Sequence, residues 1–415
     1  MALLTRCRAC LASKPYLFLP MGDHPPANGF VRAEDIAKDH PADPLNSQVC
    51  LGCGLIQVAD QVPDGFFEHY LYMPSSATSM HGHFAELAEI LKQQAGTGLI
   101  VDIGCNDGLL LSACNTLGGT TLGVDPAANL AEIARSRGVE VEVGYFSAAA
   151  AQGLADKHGR AKAIVTTNTF NHIGDLHDFM RGVAHWLADD GVFVIEVPWA
   201  KDLLEKNEFD TIYHEHVSEF SLLSLVKLGA LFDLTVVDVH RLGVHGGSMR
   251  VFLKRAAIVE AVVAEMLTEE REAGMCSMAT YQAFSDRIES VRDDLTTMLA
   301  DMKAQGLRIA GYGAPAKGNT LLNFFKIGPE TLDYLVDRNP LKQGLYSPGM
   351  KIPIRPPEAL VEDRPDVLLV LAWNFFREIR EQQSAFEAGG GLFLVPLPSP
   401  VLIPDRTSIR SKPAA

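Results

Sequence analysis

Apolar and polar positions alternate with three different textures along the chain. Over roughly the first sixty residues, Gly, Pro, Asn and Asp interrupt short apolar runs such as Tyr16-Leu17-Phe18-Leu19. That predicts a loop-rich segment with too little apolar sequence for a core of its own, so something else must staple it. Phe84, Leu87, Ile90 and Leu91 then recur at helical spacing and predict an amphipathic helix over 83–93. Residues 98–102, 121–125, 163–167 and 192–196 read as buried strands, with helices over 108–117 and 128–137. Such alternation predicts a doubly wound parallel sheet, closed by an antiparallel hairpin over 231–240 and 247–254. Residues 259–305 are charged and rich in Glu, Arg, Met and Leu, as long connecting helices are. Strand-helix alternation restarts at 308–312 and continues through 332–337, 366–372 and 392–396, which predicts a second Rossmann-like domain.

A length of 415 residues favours two or three domains. The formal net charge of −15 comes with no basic block, which argues against a nucleic-acid partner. No window approaches the ~20 apolar residues that span a bilayer, and the first residues lack the apolar stretch of a signal peptide. A cytoplasmic protein with no membrane partner is the expectation. Seven cysteines are too few for a disulfide scaffold in so long a chain. Cys105, Cys114 and Cys276 are scattered and read as small buried hydrophobes.

The other four form two Cys-x-x-Cys pairs, Cys7 with Cys10 and Cys50 with Cys53. Two such knuckles offer four thiolates to one tetrahedral Zn²⁺. The long gap between the pairs is tolerable, because loop-closure cost grows slowly with length. A four-thiolate site leaves no open coordination position, so this zinc is expected to be structural. A redox dithiol or unrelated cysteines are the plainer alternatives.

The sharpest local signal is Leu99-Ile-Val-Asp102-Ile-Gly104-Cys105-Asn106-Asp107-Gly108, a buried strand running into a glycine turn and a helix. Such a turn lets backbone approach a ligand closely. It lacks the dinucleotide fingerprint and resembles motif I of the S-adenosylmethionine methyltransferases. That resemblance makes Asp102 a contact for the amino-acid end of the donor and Gly104 the residue that clears space for it. Asp125, ending the next strand, can accept hydrogen bonds from both ribose hydroxyls. Asn168, after the third strand, is a further donor contact and His172 another candidate. A generic Rossmann-like domain with polar loops is the plainer reading.

Residues 212–221 (I-Y-H-E-H-V-S-E-F-S) crowd ionisable groups after the fourth strand. The zincin spacing is absent, so the histidines point to proton transfer rather than to a metal. A general base needs a proton affinity near neutrality, which His supplies, and a neighbouring carboxylate can orient it. Tyr70 and Tyr72 belong to a Pro- and Ser-containing stretch able to cover a cleft. His245, in a glycine turn, is a candidate site wall. In the last third, Gly311-Tyr312-Gly313-Ala-Pro-Ala-Lys317-Gly-Asn319-Thr follows a strand and opens a helix, geometry suited to phosphate. Lys317 is a candidate diphosphate contact. Asp337 ends a strand as a nicotinamide-cofactor acid does, so a sugar oxidoreductase stays in contention, as does a non-catalytic zinc-containing binding protein.

Together the stretches C-R-A-C, C-L-G-C-G-L, D-I-G-C-N-D-G-L, I-Y-H-E-H, H-G-G-S-M-R and G-Y-G-A-P-A-K-G-N-T span nearly the whole chain. In that combination the sequence resembles the three-domain C-methyltransferases of deoxysugar biosynthesis, including the tetronitrose-type C-3′ enzymes. The resemblance implies a zinc-binding domain over 1–65, a donor-binding methyltransferase domain over 66–256 and a nucleotide-sugar-binding domain over 257–415. It implies S-adenosylmethionine and structural zinc as cofactors and a thymidine-diphosphate keto-sugar as substrate. It makes His216 the base, with Tyr70, Tyr213, Glu215 and His172 around it. Asn106, Asp107 and Gly108 then join the donor site, and Tyr72, His245, Gly311, Tyr312, Gly313, Lys317 and Asn319 the sugar-nucleotide site. Met73-Pro74 and His214 depart from the expected pattern, which leaves the sugar and the methylated carbon, C3 or C5, open.

Overall fold

Strand length and helix position follow the burial pattern, and three sheets result. The computed structural model describes residues 3–404 except 13, 60, 61, 63, 64, 71, 256 and 257, and at His245 the backbone only. The N-terminal segment is more ordered than its loop-rich composition predicts. β1 (Tyr16–His24), β2 (Asp43–Val49) and β3 (Ile56–Val58) form an antiparallel sheet. Its fourth strand comes from far along the chain: β9 (Ser218–Glu219) pairs with β3, Ile56 opposite Glu219 and Gln57 opposite Ser218. The expectation that this segment has no core of its own fits what its apolar face does. Phe18, Leu19, Met21, Leu45, Val49, Ile56 and Val58 pack into one cluster with Tyr281, Phe284 and Ile288 of the long helix Met278–Ala304. Each such side chain withdrawn from water contributes about 1.5–3 kcal/mol.

The central sheet holds β4 (Leu99–Ile103), β5 (Thr120–Asp125), β6 (Val141–Val143), β7 (Ala161–Thr167), β8 (Leu187–Pro198), β10 (Thr235–Leu242) and β11 (Ser248–Lys254). Its order is β10-β11-β8-β7-β4-β5-β6, with β4 to β8 parallel and β11 antiparallel to both its neighbours. Alternate residues of β4 face opposite layers: Ile100 packs with Phe84 and Leu87 of helix Thr78–Ala95. Val101 and Ile103 join the cluster of Phe179 and Met180 from helix Leu176–Trp186. The chain leaves β4 toward β5 on one side and arrives at β7 on the other, so a crevice opens above their carboxyl ends.

The last sheet runs β14 (Ile354–Arg355), β13 (Leu335–Val336), β12 (Ile309–Tyr312), β15 (Val367–Val370), β16 (Leu392–Val395) and β17 (Val401–Ile403). It is parallel except at β17, and its own crevice lies between β12 and β15. Three readings need adjustment. β6 and helix Ala148–His158 were not anticipated. The strand expected over 332–337 is only two residues long, Leu335–Val336. Cys276 is exposed rather than buried. Among the described residues, no helix is long and apolar enough to cross a membrane.

Candidate active site and zinc knuckles

The four cysteines of the two knuckles converge. Cys50 follows β2, and a turn through Cys53 N–H and Gly54 N–H to the Cys50 carbonyl (3.1 and 2.7 Å) folds the second knuckle back on itself. Cys7 Sγ lies 3.6 Å from Cys53 Sγ and Cys10 Sγ 3.6 Å from Cys50 Sγ, with all four sulfurs within 4.8 Å of one another. A tetrahedron with arms of ~2.3 Å has edges near ~3.8 Å, so the cluster fits Zn²⁺. The donor set is all thiolate and closed, as a structural zinc requires.

At the end of β4 the chain turns with Gly104, Asn106 and Gly108 at φ of 83°, 51° and 75°. Space decides the two glycines: a Cβ at Gly104 would fall 2.1 Å from Thr169 Oγ1, and one at Gly108 2.8 Å from Ala134 Cβ. Asp125 anchors the turn, accepting from Asn106 N–H and Ala127 N–H, both at 2.8 Å. Asp102 is buried and its Oδ1 has no hydrogen-bond partner. Burial, with Asp125 nearby, pushes this carboxyl up to about 8. A buried acid waiting for a donor fits a ligand that brings an ammonium group, as the amino-acid end of S-adenosylmethionine does.

Tyr70 and residues 72–76 are strapped onto that turn and the helix after β5. Asn129 holds Tyr70 at both its N–H (3.2 Å) and its carbonyl (2.8 Å), and Asn106 Nδ2 donates to the Tyr72 carbonyl (3.1 Å). Asp107 accepts from Ser75 N–H (3.4 Å) and pairs with Arg137 (3.3 Å).

Beyond it lie the ionisable groups. Tyr213 Oη and His216 Nε2 are 2.6 Å apart, with their rings stacked at 4.0 Å between centroids. His172 meets the His216 ring edge-on at 4.9 Å. Glu215 turns away from His216: it accepts from Tyr70 O–H (2.9 Å), Asn28 Nδ2 (2.6 Å) and Asn28 N–H (3.1 Å). The carboxylate beside His216 is instead Glu219, whose Oε1 lies 3.2 Å from His216 Nδ1. Desolvation and Lys317 lower His216 to about 3, and desolvation with His216 lowers His172. Both imidazoles are therefore neutral. Burial and Glu215 raise Tyr70 and Tyr213, which keeps both hydroxyls protonated and able to donate.

One cavity of about 780 Å³ joins these pieces. Asp102, Gly104, Asn106, Asp107, Asp125 and Asn168 line it together with Tyr70, Tyr72, His172, Tyr213, Glu215, His216 and Lys317. Gly108, Gly311, Tyr312, Gly313 and Asn319 are not among the lining residues. Gly311 lies within β12 against Leu335, Tyr312 Oη receives a hydrogen bond from Gln383 (3.4 Å), and Asn319 Nδ2 donates to the Ala27 carbonyl (2.8 Å). The side chain of His245 lies outside the described residues. Asn28, Asn129, Glu219 and Lys342 were not singled out from sequence. Of these only Glu219 carried a signal, its place in the ionisable run. Lys342 Nζ donates to the Ala314 carbonyl (2.8 Å) and Asp337 accepts from Ala314 N–H (2.7 Å), shaping the second glycine turn.

A pocket at the switch point of a doubly wound sheet, an adjoining cluster of ionisable groups and four converging cysteines fit an S-adenosylmethionine-dependent methyltransferase with a zinc-binding domain. Family models agree along the chain: a zinc binding domain matches residues 7–66, a methyltransferase domain 80–239 and a C-methyltransferase C-terminal domain 243–398. C-methyltransferase NovU of Streptomyces niveus is 39% identical over 413 residues, 98% of each chain. The chain belongs to this family of S-adenosylmethionine-dependent C-methyltransferases with a zinc-binding N-terminal domain. The ubiquinone biosynthesis O-methyltransferase of Caulobacter sp. (strain K31) shares 33% identity over 98 residues, 23% of this chain and 39% of that one. Among solved structures, the PH0226 protein of Pyrococcus horikoshii OT3 overlaps 46% of this chain and all of its own at 18% identity, TM-score 0.38.

Proposed function

We propose that the enzyme methylates the carbon beside the keto group of a nucleotide-linked 4-keto-deoxysugar, with thymidine diphosphate as the nucleotide and His216 as the base. The observation that carries this reading is the shared cavity, which neutral His216 and two protonated tyrosines line together with the donor turn and Lys317. A neutral imidazole can accept a proton, and a ketone acidifies the C–H next to it. Tyr213 or Tyr70 then donates to the enolate oxygen, a charge that exists only after the proton has left. S-adenosylmethionine supplies an electrophilic methyl group when bound. Asp102 and Asp125 would hold it by its ammonium and its ribose, so that the carbanionic carbon is aligned with that methyl, an arrangement worth up to ~7–11 kcal/mol. Lys317, with Tyr72 on the near side, would take the diphosphate end.

The same reading assigns residues 1–65 to zinc, 66–256 to the donor and chemistry, and 257–415 to the sugar nucleotide. It also assigns the enzyme to the reducing cytoplasm, where its thiols persist. The test is calorimetric titration with S-adenosylhomocysteine and with thymidine diphosphate, followed by product NMR on TDP-4-keto-6-deoxyhexoses. Binding of both and a new C-methyl signal are expected. NADH binding without S-adenosylhomocysteine binding, or an O-methyl product, would overturn the reading.

A further inference from the structure

An imidazole acts as a base only through the nitrogen that lacks hydrogen, and which nitrogen that is depends on the partner of the other. His216 Nε2 faces Tyr213 Oη at 2.6 Å, and Nδ1 faces Glu219 Oε1 at 3.2 Å. Glu219 is 1% exposed, and its Oε2 has no hydrogen-bond partner. Glu215, the carboxylate nearer in sequence, is spent on Asn28 and Tyr70. We infer that Glu219 is the positioning residue that fixes the tautomer of His216, leaving Nε2 bare toward the cavity, and that balances the charge His216 gains. The second half of this inference rests on His216 acting as proposed above.

The backbone that carries Glu219 is held from both sides by the zinc module. Ser218 and Glu219 are the last strand of that module's sheet. Arg8, between the first two cysteines, donates to the Val217 carbonyl at 2.9 Å, and Ser221 Oγ donates to the Cys53 carbonyl at 2.7 Å. The dyad is thus built on rigid elements rather than on a free loop. Tyr213 and His172 are the other titratable groups against the His216 ring, and Lys317 is the cation that acts on both members. In the reaction the substrate C–H bond breaks and its electron pair passes into the enolate. The proton goes to His216 Nε2, and the resulting imidazolium shares its Nδ1–H with the Glu219 carboxylate.

Full-length protein labelled with ¹⁵N-histidine tests the orientation, with His216→Asn identifying the His216 signals. Nδ1 protonated and Nε2 bare is the expected wild-type pattern, lost in Glu219→Leu and kept in Glu219→Gln, whose amide oxygen still accepts. Nε2 protonated in the wild type would overturn the assignment. Solvent-deuterium exchange at the acidic carbon of a TDP-4-keto-6-deoxyhexose, with S-adenosylhomocysteine bound, tests the charge. Glu219→Gln should slow it about 100-fold, with KM and S-adenosylhomocysteine affinity within twofold. Exchange at the wild-type rate in that variant would overturn the proposal, even if Glu219→Leu fails to fold. A wild type with the expected tautomer but no exchange would support Glu219 as the orienting residue and refute the keto-sugar reading instead.

Discussion

Replacing Tyr213 by Phe removes one oxygen and leaves the ring that stacks on His216 at 4.0 Å. In the resting enzyme the change costs a hydrogen bond to His216 Nε2, about 1 kcal/mol of stability, and lowers Tm by a few degrees. In the transition state it costs more, because the hydroxyl would no longer meet the developing enolate oxygen. Removing one such preorganised donor typically slows turnover about 10²–10³-fold, or ~2.7–4 kcal/mol. The asymmetry separates chemistry from packing: kcat should fall by that factor while KM for the sugar nucleotide and affinity for S-adenosylhomocysteine stay within twofold. The assay is C-methyl product formation by NMR under saturating donor, with calorimetry on the same preparation. A kcat within threefold of wild type would refute the role given to this hydroxyl, and an equal loss in donor affinity would show that the variant had disturbed the pocket.

His216→Ala should lower kcat by about 10³-fold or more with S-adenosylhomocysteine affinity nearly unchanged, as read by the same assay and titration. Cys50→Ser should lose zinc by elemental analysis and lower Tm by about 10 °C, since one thiolate of a closed site cannot be spared. Asp102 gives a pH dependence whose sign is fixed by burial. Its carboxyl is raised to about 8, so between about 4 and 8 the folded ligand-free protein holds a proton that the unfolded chain has released, and stability falls as pH rises. A ligand ammonium favours the ionised form, so binding of S-adenosylhomocysteine should release a proton and tighten as pH rises toward 8. Calorimetry in two buffers of different ionisation enthalpy measures that proton, and Asp102→Asn should abolish it.

The central sheet was legible because β4, β5, β7 and β8 are buried on both faces and spell nearly continuous apolar runs. β9 was not, because a two-residue strand has no period, and its partner β3 lies far away in sequence. The same limit applies to the site. Asp102, Asp125 and the ionisable run could be named from type and spacing, since each ends a readable strand or sits in a readable cluster. Which carboxylate serves His216 could not, because Glu215 adjoins it in sequence while Glu219 lies three residues on, and only folding aims the nearer one at Asn28 and the other at the imidazole. Desolvation is equally invisible in a string of letters. The expectation that His supplies a proton affinity near neutrality holds for a solvated ring, whereas burial takes His216 to about 3.

That low value bears on why the site is divided among three parts of the chain. A buried neutral imidazole is always in its accepting form, yet by itself it holds a proton weakly. It becomes an effective base only if its charged form is stabilised when the proton arrives, which requires a negative group within hydrogen-bond distance. Burial pushes Glu219 above the usual carboxylate range and His216 below the usual imidazole range, so the buried site resists charge on either, and Lys317 favours the carboxylate of Glu219 while it disfavours the imidazolium of His216. Diphosphate engaging Lys317 would lift its opposition to the His216 imidazolium, since the cation would be neutralised by the substrate. Proton abstraction would then be coupled to occupation of the C-terminal turn, with the zinc module keeping Glu219 in register and Lys317 reporting the sugar nucleotide. An arrangement of this kind withholds base strength until the substrate is bound, and it explains why the segment carrying His216 is stitched to the N-terminal sheet on one side and faces the C-terminal glycine turn on the other.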